Sequence, residues 1–63
     1  MNKFVVGRDG FIDFDYPLTF EEAKERWDKT ITNTLLYQYD VSVYEIDEAK
    51  KIVRRVSYQE LTS

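Results

Sequence analysis

A helix start signal at Thr19 constrains this chain more than any other feature. Thr19 stands where an N-cap residue is expected, and Glu22 three positions later completes a Thr-x-x-Glu capping box. Leu18 before the cap and Ala23 at the fourth helical position are placed to form a hydrophobic staple. Pro17 closes the preceding segment, because proline cannot donate a backbone hydrogen bond to a strand ladder. One helix therefore begins directly after this cap, and the flanking segments can be interpreted from that boundary.

The helix is predicted to cover residues 20–33 and to bury one face. Its apolar side chains recur at the i, i+3, i+7 and i+11 spacing of a single stripe: Phe20, Ala23, Trp27 and Ile31. Charged side chains on the other side form two i,i+4 pairs in the favourable orientation: Glu22 with Arg26, and Glu25 with Lys29. Such a stripe needs a sheet to cover it, and Trp27 is expected at the centre of that contact.

Residues 3–16 are predicted to form a β-hairpin. Asp9-Gly10 is a favoured two-residue type I′ turn, because both residue types tolerate positive φ. A turn there sets Val5 opposite Phe14 and Gly7 opposite Ile12, with Gly7 weakening the strand or marking a bulge. The second strand then alternates. Its apolar residues lie on one face, namely Ile12, Phe14 and Tyr16, and its acidic residues Asp13 and Asp15 lie on the other.

A second hairpin is predicted after the helix. Its first strand alternates with apolar residues on one face: Tyr37, Tyr39, Val41 and Val43. A polar block at residues 47–50 indicates the turn, and residues 51–58 form the next strand. A turn centred on Glu48-Ala49 gives three pairs: Val41 with Val56, Tyr39 with Tyr58, and Glu45 with Ile52. This register gathers nearly every apolar side chain on one face, Arg54 excepted, and leaves Tyr44, Val53 and Arg55 on the other.

These elements predict a single α+β domain over residues 1–63. The order is ββαββ, which is most simply a four-stranded antiparallel sheet made from two hairpins, with the helix packed on one face. The strand order stays open, because two hairpins can be joined in more than one way across the helix. The sheet face away from the helix is expected to be uncovered.

Composition argues against an enzyme. The 63 residues include no cysteine and no histidine, so thiolate nucleophiles, the commonest metal ligand and the commonest general base are missing. There is no glycine-rich phosphate loop, and one helix on a small sheet rarely encloses a deep cleft. No catalytic residue and no cofactor is therefore expected. The longest apolar run is Phe4-Val5-Val6, far short of the roughly 20 residues that span a bilayer, and no secretory signal is visible. A cytoplasmic protein is expected.

The first predicted hairpin carries two closely spaced carboxylates. Asp13 and Asp15 lie two apart on a predicted strand and point the same way, so their oxygens are placed to chelate a hard cation. The spacing is not that of an EF-hand loop, and a solvated strand face that discourages aggregation is the simpler interpretation. No metal site is assigned.

Charge is distributed unevenly along the chain. Residues 1–48 carry a net charge of −6, whereas residues 49–63 carry +3 and contain a basic block: Lys50, Lys51, Arg54 and Arg55. This block, with Tyr44 and Tyr58 nearby, is suited to contact phosphates and to stack on bases. The overall net charge of −3 disfavours nucleic acid, since nucleic-acid-binding domains are usually strongly basic.

Three functional hypotheses follow, and the leading one is a non-enzymatic interaction module. It would bind another protein, or a second copy of itself, through the uncovered sheet face, with these contact residues: Tyr44, Val53, Arg55 and Tyr58. The second is an acidic inhibitor, of the kind carried by mobile elements, that occupies a basic site on a target protein through these carboxylates: Asp13, Asp15, Glu21, Glu25 and Asp28. The third is a weak nucleic-acid binder acting through the basic C-terminal hairpin.

Overall fold

The computed structural model describes residues 2–8, 10–32 and 41–63. The elements in chain order are β1 (Lys3–Arg8), β2 (Phe11–Ile12), α1 (Phe20–Thr32), β3 (Val41–Ile46), β4 (Ile52–Arg55) and α2 (Tyr58–Thr62). The α+β class and the order of two hairpins around one main helix are confirmed. The positions predicted for Asn33, Tyr37 and Tyr39 lie outside the described residues. Within the described ranges, no helix has both the length and the apolar character needed to cross a membrane.

The four strands form one antiparallel sheet in the order β2-β1-β3-β4. β1 and β3 are the central pair, in register from Lys3 opposite Ile46 to Arg8 opposite Val41. The two hairpins are therefore joined through their first strands, which answers the question of strand order that the sequence left open. α1 carries the chain from the β2 edge to the centre of the sheet.

The predicted capping box at the start of α1 is confirmed. The Glu22 backbone N–H donates to Thr19 Oγ1 at 3.2 Å, and the Thr19 N–H donates to Glu22 Oε1 at 2.9 Å. The hydrogen bond from the Thr19 backbone holds the pKa of Glu22 below its usual value. Directly before the cap, Leu18 exchanges two backbone hydrogen bonds with Phe4, at 2.7 and 2.8 Å. The helix start is thus tied to β1.

The core lies between α1 and the sheet. It is a cluster of six buried side chains: Leu18, Ala23, Trp27, Val43, Val56 and Leu61. Trp27 is 5% exposed and meets the Tyr58 ring edge to face at 5.7 Å. Phe20 packs edge to face on Phe4 at 5.3 Å, so the predicted apolar stripe faces the sheet over most of its length.

The first hairpin is shorter than predicted. Gly7 lies opposite Ile12 as expected, but the pairing of Val5 with Phe14 is wrong because β2 ends at Ile12. The Phe14 N–H donates to the Ile12 carbonyl at 3.1 Å, and the Tyr16 N–H donates to the Asp13 carbonyl at 3.3 Å. These local bonds fold residues 13–16 into turns and remove Phe14 and Tyr16 from the strand alternation.

The second hairpin has a different register and a shorter last strand. The predicted pairs of Glu45 with Ile52 and Val41 with Val56 are wrong, because Glu45 lies opposite Arg54. The cause is the turn, where the Asp47 carboxylate accepts the N–H groups of Ala49 and Lys51, each at 2.9 Å. This longer turn shifts the pairing by two residues and places a bulge beside Glu45.

The strand predicted over residues 51–58 gives way to a helix at its end. Ser57 is the N-cap of α2, its Oγ accepts the Glu60 N–H at 3.2 Å, and Glu60 Oε2 accepts the Ser57 N–H at 2.9 Å. Tyr58 therefore belongs to α2, where its ring packs on Trp27, so its predicted place in the strand is wrong. The capping box satisfies backbone N–H groups that, in a strand, would need hydrogen bonds to an adjacent strand.

Two side chains on the sheet face away from α1 are buried. Val5 is 0% exposed and Ile46 is 1% exposed, although neither belongs to the cluster on the α1 side. Strand alternation directs both toward the far face, since Phe4 and Val6 pack against that cluster. On β4, by contrast, Ile52 and Val53 are exposed.

Gly7→Ala is expected to destabilise the domain by about 1 kcal/mol. An added Cβ would lie 3.0 Å from Ile12 Cγ1 and 3.3 Å from Tyr44 Cε2, so both side chains must shift. Urea unfolding followed by Trp27 fluorescence measures the effect. Tyr44→Val made in the Gly7→Ala background should cost less than the same change in wild type. Equal costs would show that crowding by the ring is not the cause.

Trp27→Ala is expected to lower the free energy of unfolding by about 3–5 kcal/mol, because it leaves a cavity at the centre of the only core cluster found in the described residues. The measurement is urea unfolding followed by far-UV circular dichroism. Trp27→Phe retains part of the ring and should unfold at an intermediate concentration. Ile31→Ala, at a position 36% exposed, is the matched control and should cost much less. A similar cost for the Ile31 and Trp27 variants would contradict this account of the core.

Candidate functional site

The margin of the sheet at β4 is the most accessible apolar and basic surface among the sequence-predicted sites. We call it the β4 edge and define it as Ile52–Arg55 together with Lys50 and Lys51. Ile52 is 46% exposed and Val53 is 54% exposed. β4 is the outermost strand on its side of the four-stranded sheet that the described residues form. The β4 edge therefore offers a strand backbone and apolar side chains at the same place.

Backbone groups of the β4 edge point outward at alternate residues. The Val56 N–H donates to the Val43 carbonyl at 2.8 Å, which makes this a hydrogen-bonded antiparallel pair. Two residues earlier, Arg54 lies opposite Glu45 and likewise turns its backbone toward β3. The backbone of Arg55, between these two pairs, is therefore directed away from the sheet. Val53, on the other side of Arg54, is the extra residue of the bulge beside Glu45, where this alternation is interrupted.

The four cations of this region differ in their partners. Arg54 is held on both sides, with Nε 2.8 Å from Glu45 Oε1 and Nη1 2.9 Å from Glu60 Oε2. Lys50 Nζ lies 4.0 Å from an almost fully exposed Asp15 carboxylate, which is a weak contact. Within the described ranges, Lys51 and Arg55 have no carboxylate within 4.0 Å. These two positive charges are the ones available to a partner.

The ion pairs of Arg54 fix the shape of the β4 edge. The hydrogen bond from Arg54 lowers the pKa of Glu60 to about 2, and the N–H of Ser57 contributes in the same direction. The same contact with Glu60 raises the pKa of Arg54. Because Glu45 lies on β3, Arg54 on β4 and Glu60 on α2, this network links three consecutive elements.

The structure brings together part of the predicted interaction site. Tyr44 and Arg55 are cross-strand neighbours, and Val53 lies two residues away on the same strand. Tyr58 is separated from them, because it packs on Trp27 at the α1 side. Ile52 was not predicted as a site residue, and Lys51 was named only in the basic block of the nucleic-acid hypothesis. The corrected register and the basic block at residues 50–55 are the signals that identify them.

The five predicted acidic residues do not form one surface. Three share one side of α1 with a lysine between them, at positions i, i+4 and i+7: Glu21, Glu25 and Asp28. Glu25 is neutralised there by Lys29, whose Nζ lies 2.9 Å from Glu25 Oε1. Asp13 lines a separate groove, and Asp15 lies beside Lys50. No group of three or more acidic side chains in the described ranges is placed to hold a metal ion.

Comparisons with known proteins add no assignment. No protein-family model, curated protein or solved structure matches this chain significantly.

Lowering the pH is expected to weaken the ion pair that Glu60 of α2 makes with β4. The folded-state pKa of Glu60, about 2, lies below the ordinary 4.5, so its contribution to stability is full above pH 4.5 and disappears as the pH falls through 2. Glu60→Gln should therefore reduce the loss of thermal stability between pH 5 and 2. The effect is small and weakens with salt, because the pair is exposed.

Thermal unfolding at a series of pH values measures this dependence. Glu48→Gln is the matched control, because Glu48 is exposed in the β3–β4 turn and is outside the network. It should leave the acid limb of the stability curve as in wild type. An acid limb unchanged by Glu60→Gln would exclude this ion pair as a source of acid sensitivity.

Proposed function

We propose that this chain is a non-enzymatic cytoplasmic binding protein that takes an extended, acidic segment of another protein as an additional strand on its β4 edge. The observation that carries the proposal is the outward direction of the Arg55 backbone beside Lys51 and Arg55, two cations with no carboxylate within 4.0 Å in the described residues. Strand addition to an exposed edge is a common mode of peptide recognition, in which main-chain bonds supply affinity and side chains supply specificity.

The main-chain part of this interaction follows from the edge geometry. Arg55 offers one N–H and one C=O, so an added strand can form about two backbone hydrogen bonds with it. The strand is only four residues long, which limits the footprint to a short segment. Exposed Ile52 and Val53 add apolar contact area next to these bonds.

Charge favours an acidic partner over a second copy of this chain. Two β4 edges paired around a twofold axis would bring eight cations together, since each carries Lys50, Lys51, Arg54 and Arg55. Like charges directly opposite one another destabilise a strand pair. Carboxylates on the added strand would instead pair with Lys51 and Arg55. A nucleic acid is a poorer fit, because Arg54 is committed to two carboxylates and the whole chain is acidic.

A synthetic peptide in which glutamate alternates with valine is expected to bind and to slow amide hydrogen exchange at specific positions. The Arg55 amide should become protected, because its N–H group points outward. The Arg54 amide already faces β3 and should change little. Residue-resolved exchange measured by NMR, with and without the peptide, tests this alternation.

Lys51→Glu combined with Arg55→Glu should weaken binding of this peptide by at least about tenfold at low salt. Lys24→Glu combined with Lys29→Glu changes the net charge equally on α1 and is the matched control, with binding expected close to wild type. A peptide with lysine in place of glutamate should not bind. Equal loss in both double variants, or protection confined to residues outside the β4 edge, would refute the proposed mode.

A further inference from the structure

We propose a second binding site, at the opposite edge of the sheet, for a small ligand that combines a planar ring with an anionic group, such as a mononucleotide. The site is a groove of about 480 Å³ between α1 and the β1–β2 hairpin. Its volume falls in the range of small-molecule sites in proteins, roughly 300–1,000 Å³. The groove is distinct from the β4 edge and does not depend on the function proposed there.

Two aromatic rings stand at this groove with most of their surface exposed. Phe11 is 85% exposed and Tyr16 is 57% exposed, and both line the groove. Phe11 is held in place by the β1–β2 pairing opposite Arg8, and Tyr16 by the turn bond to the Asp13 carbonyl. Apolar side chains complete the lining: Val6, Leu18 and Val41. Exposed rings above an apolar floor favour a flat, partly apolar ligand.

The Arg26 guanidinium supplies the charge. Arg26 Cζ lies 5.2 Å from the centre of the Tyr16 ring, which fixes its position over that ring. Its predicted i,i+4 interaction with Glu22 is electrostatic: after the hydrogen bonds from Thr19, the charge of Arg26 helps to lower the pKa of Glu22, although these two side chains, both in the described part of the chain, do not form a salt bridge within 4.0 Å. Arg8 lines the same groove from β1. A guanidinium stacked on a ring keeps its N–H donors in its own plane, where a phosphate or carboxylate can accept them.

Asp13 limits the choice of ligand. Its carboxylate is part of the lining, beside the Arg26 guanidinium. One guanidinium next to a carboxylate suits a single anionic group better than a polyanion. Asp13 can also accept a hydrogen bond from a ring amine or a hydroxyl. A ring, a nearby hydroxyl or amine and one phosphate together describe a mononucleotide.

The test is titration of the full chain with adenosine monophosphate, followed by NMR and by calorimetry. Saturable binding is expected at millimolar nucleotide or below, with shifts centred on the Arg26 side-chain signal and on the amides of Phe11 and Tyr16. Adenosine lacks the anion and inorganic phosphate lacks the ring, so each should bind much more weakly. Arg26→Gln and Tyr16→Leu should each weaken binding roughly tenfold. Lys29→Gln, one turn further along α1 and paired with Glu25, is the matched control and should bind as wild type.

Three results would overturn the proposal. The first is no saturable binding at millimolar nucleotide by a chain whose circular dichroism is unchanged. The second is equal weakening by Arg26→Gln and Lys29→Gln, which would indicate general attraction to a charged surface. The third is an oligoadenylate that binds far more tightly than the mononucleotide, which would assign the groove to single-stranded nucleic acid.

Discussion

The burial of Trp27 is the interaction on which the rest of this structure depends. A chain of 63 residues without cysteine has no disulfide, and it buries only about 60% of the surface of its unfolded state. The Trp27 cluster therefore has to join several elements at once. It includes Val43 of β3, Val56 directly after β4, and Leu61 of α2. Because Val56 and Leu61 follow β4, the same burial that holds α1 on the sheet also holds the strand that forms the proposed binding edge.

Polar contacts then divide the basic residues of the second hairpin into two roles. Arg54 bridges Glu45 and Glu60, so its charge is satisfied within the fold. Lys51 and Arg55 have no such partner in the described ranges, and they flank the outward-facing backbone. Specificity at an edge of this kind comes from the sign of the charge on either side of a few backbone bonds, since no deep pocket is involved.

Much of the fold was predictable because its strongest signals are local. The capping box at Thr19 and the apolar stripe through Trp27 fix α1 with no knowledge of the rest of the chain. The same local signal occurs at Ser57 and Glu60, but there the apolar alternation ending at Tyr58 favoured a strand. The segment forms a helix because the helix places Leu61 in the core and allows both hydrogen bonds of the capping box. A capping-box signal was present at both positions. Where it competed with a strand-like alternation, the burial of apolar side chains decided between helix and strand.

The kind of error made in the register explains why part of the β4 edge could still be predicted from the sequence. The groove could not be predicted, for a separate reason. At Tyr44 and Glu45 the slip is two residues, which leaves side chains on their own face and backbone groups in their own direction, so Arg55 stayed outward-facing. The slip did move Arg54 from beside Val43 to a position opposite Glu45, which turned an unexplained charge into an ion pair. The groove has a different origin, because it forms only where residues 13–16 fold into turns and do not continue the strand. Alternation of apolar and acidic residues looks the same in a strand and in this run of turns. The hydrogen bond from Tyr16 to the Asp13 carbonyl, which brings the ring near Arg26, is what distinguishes the two.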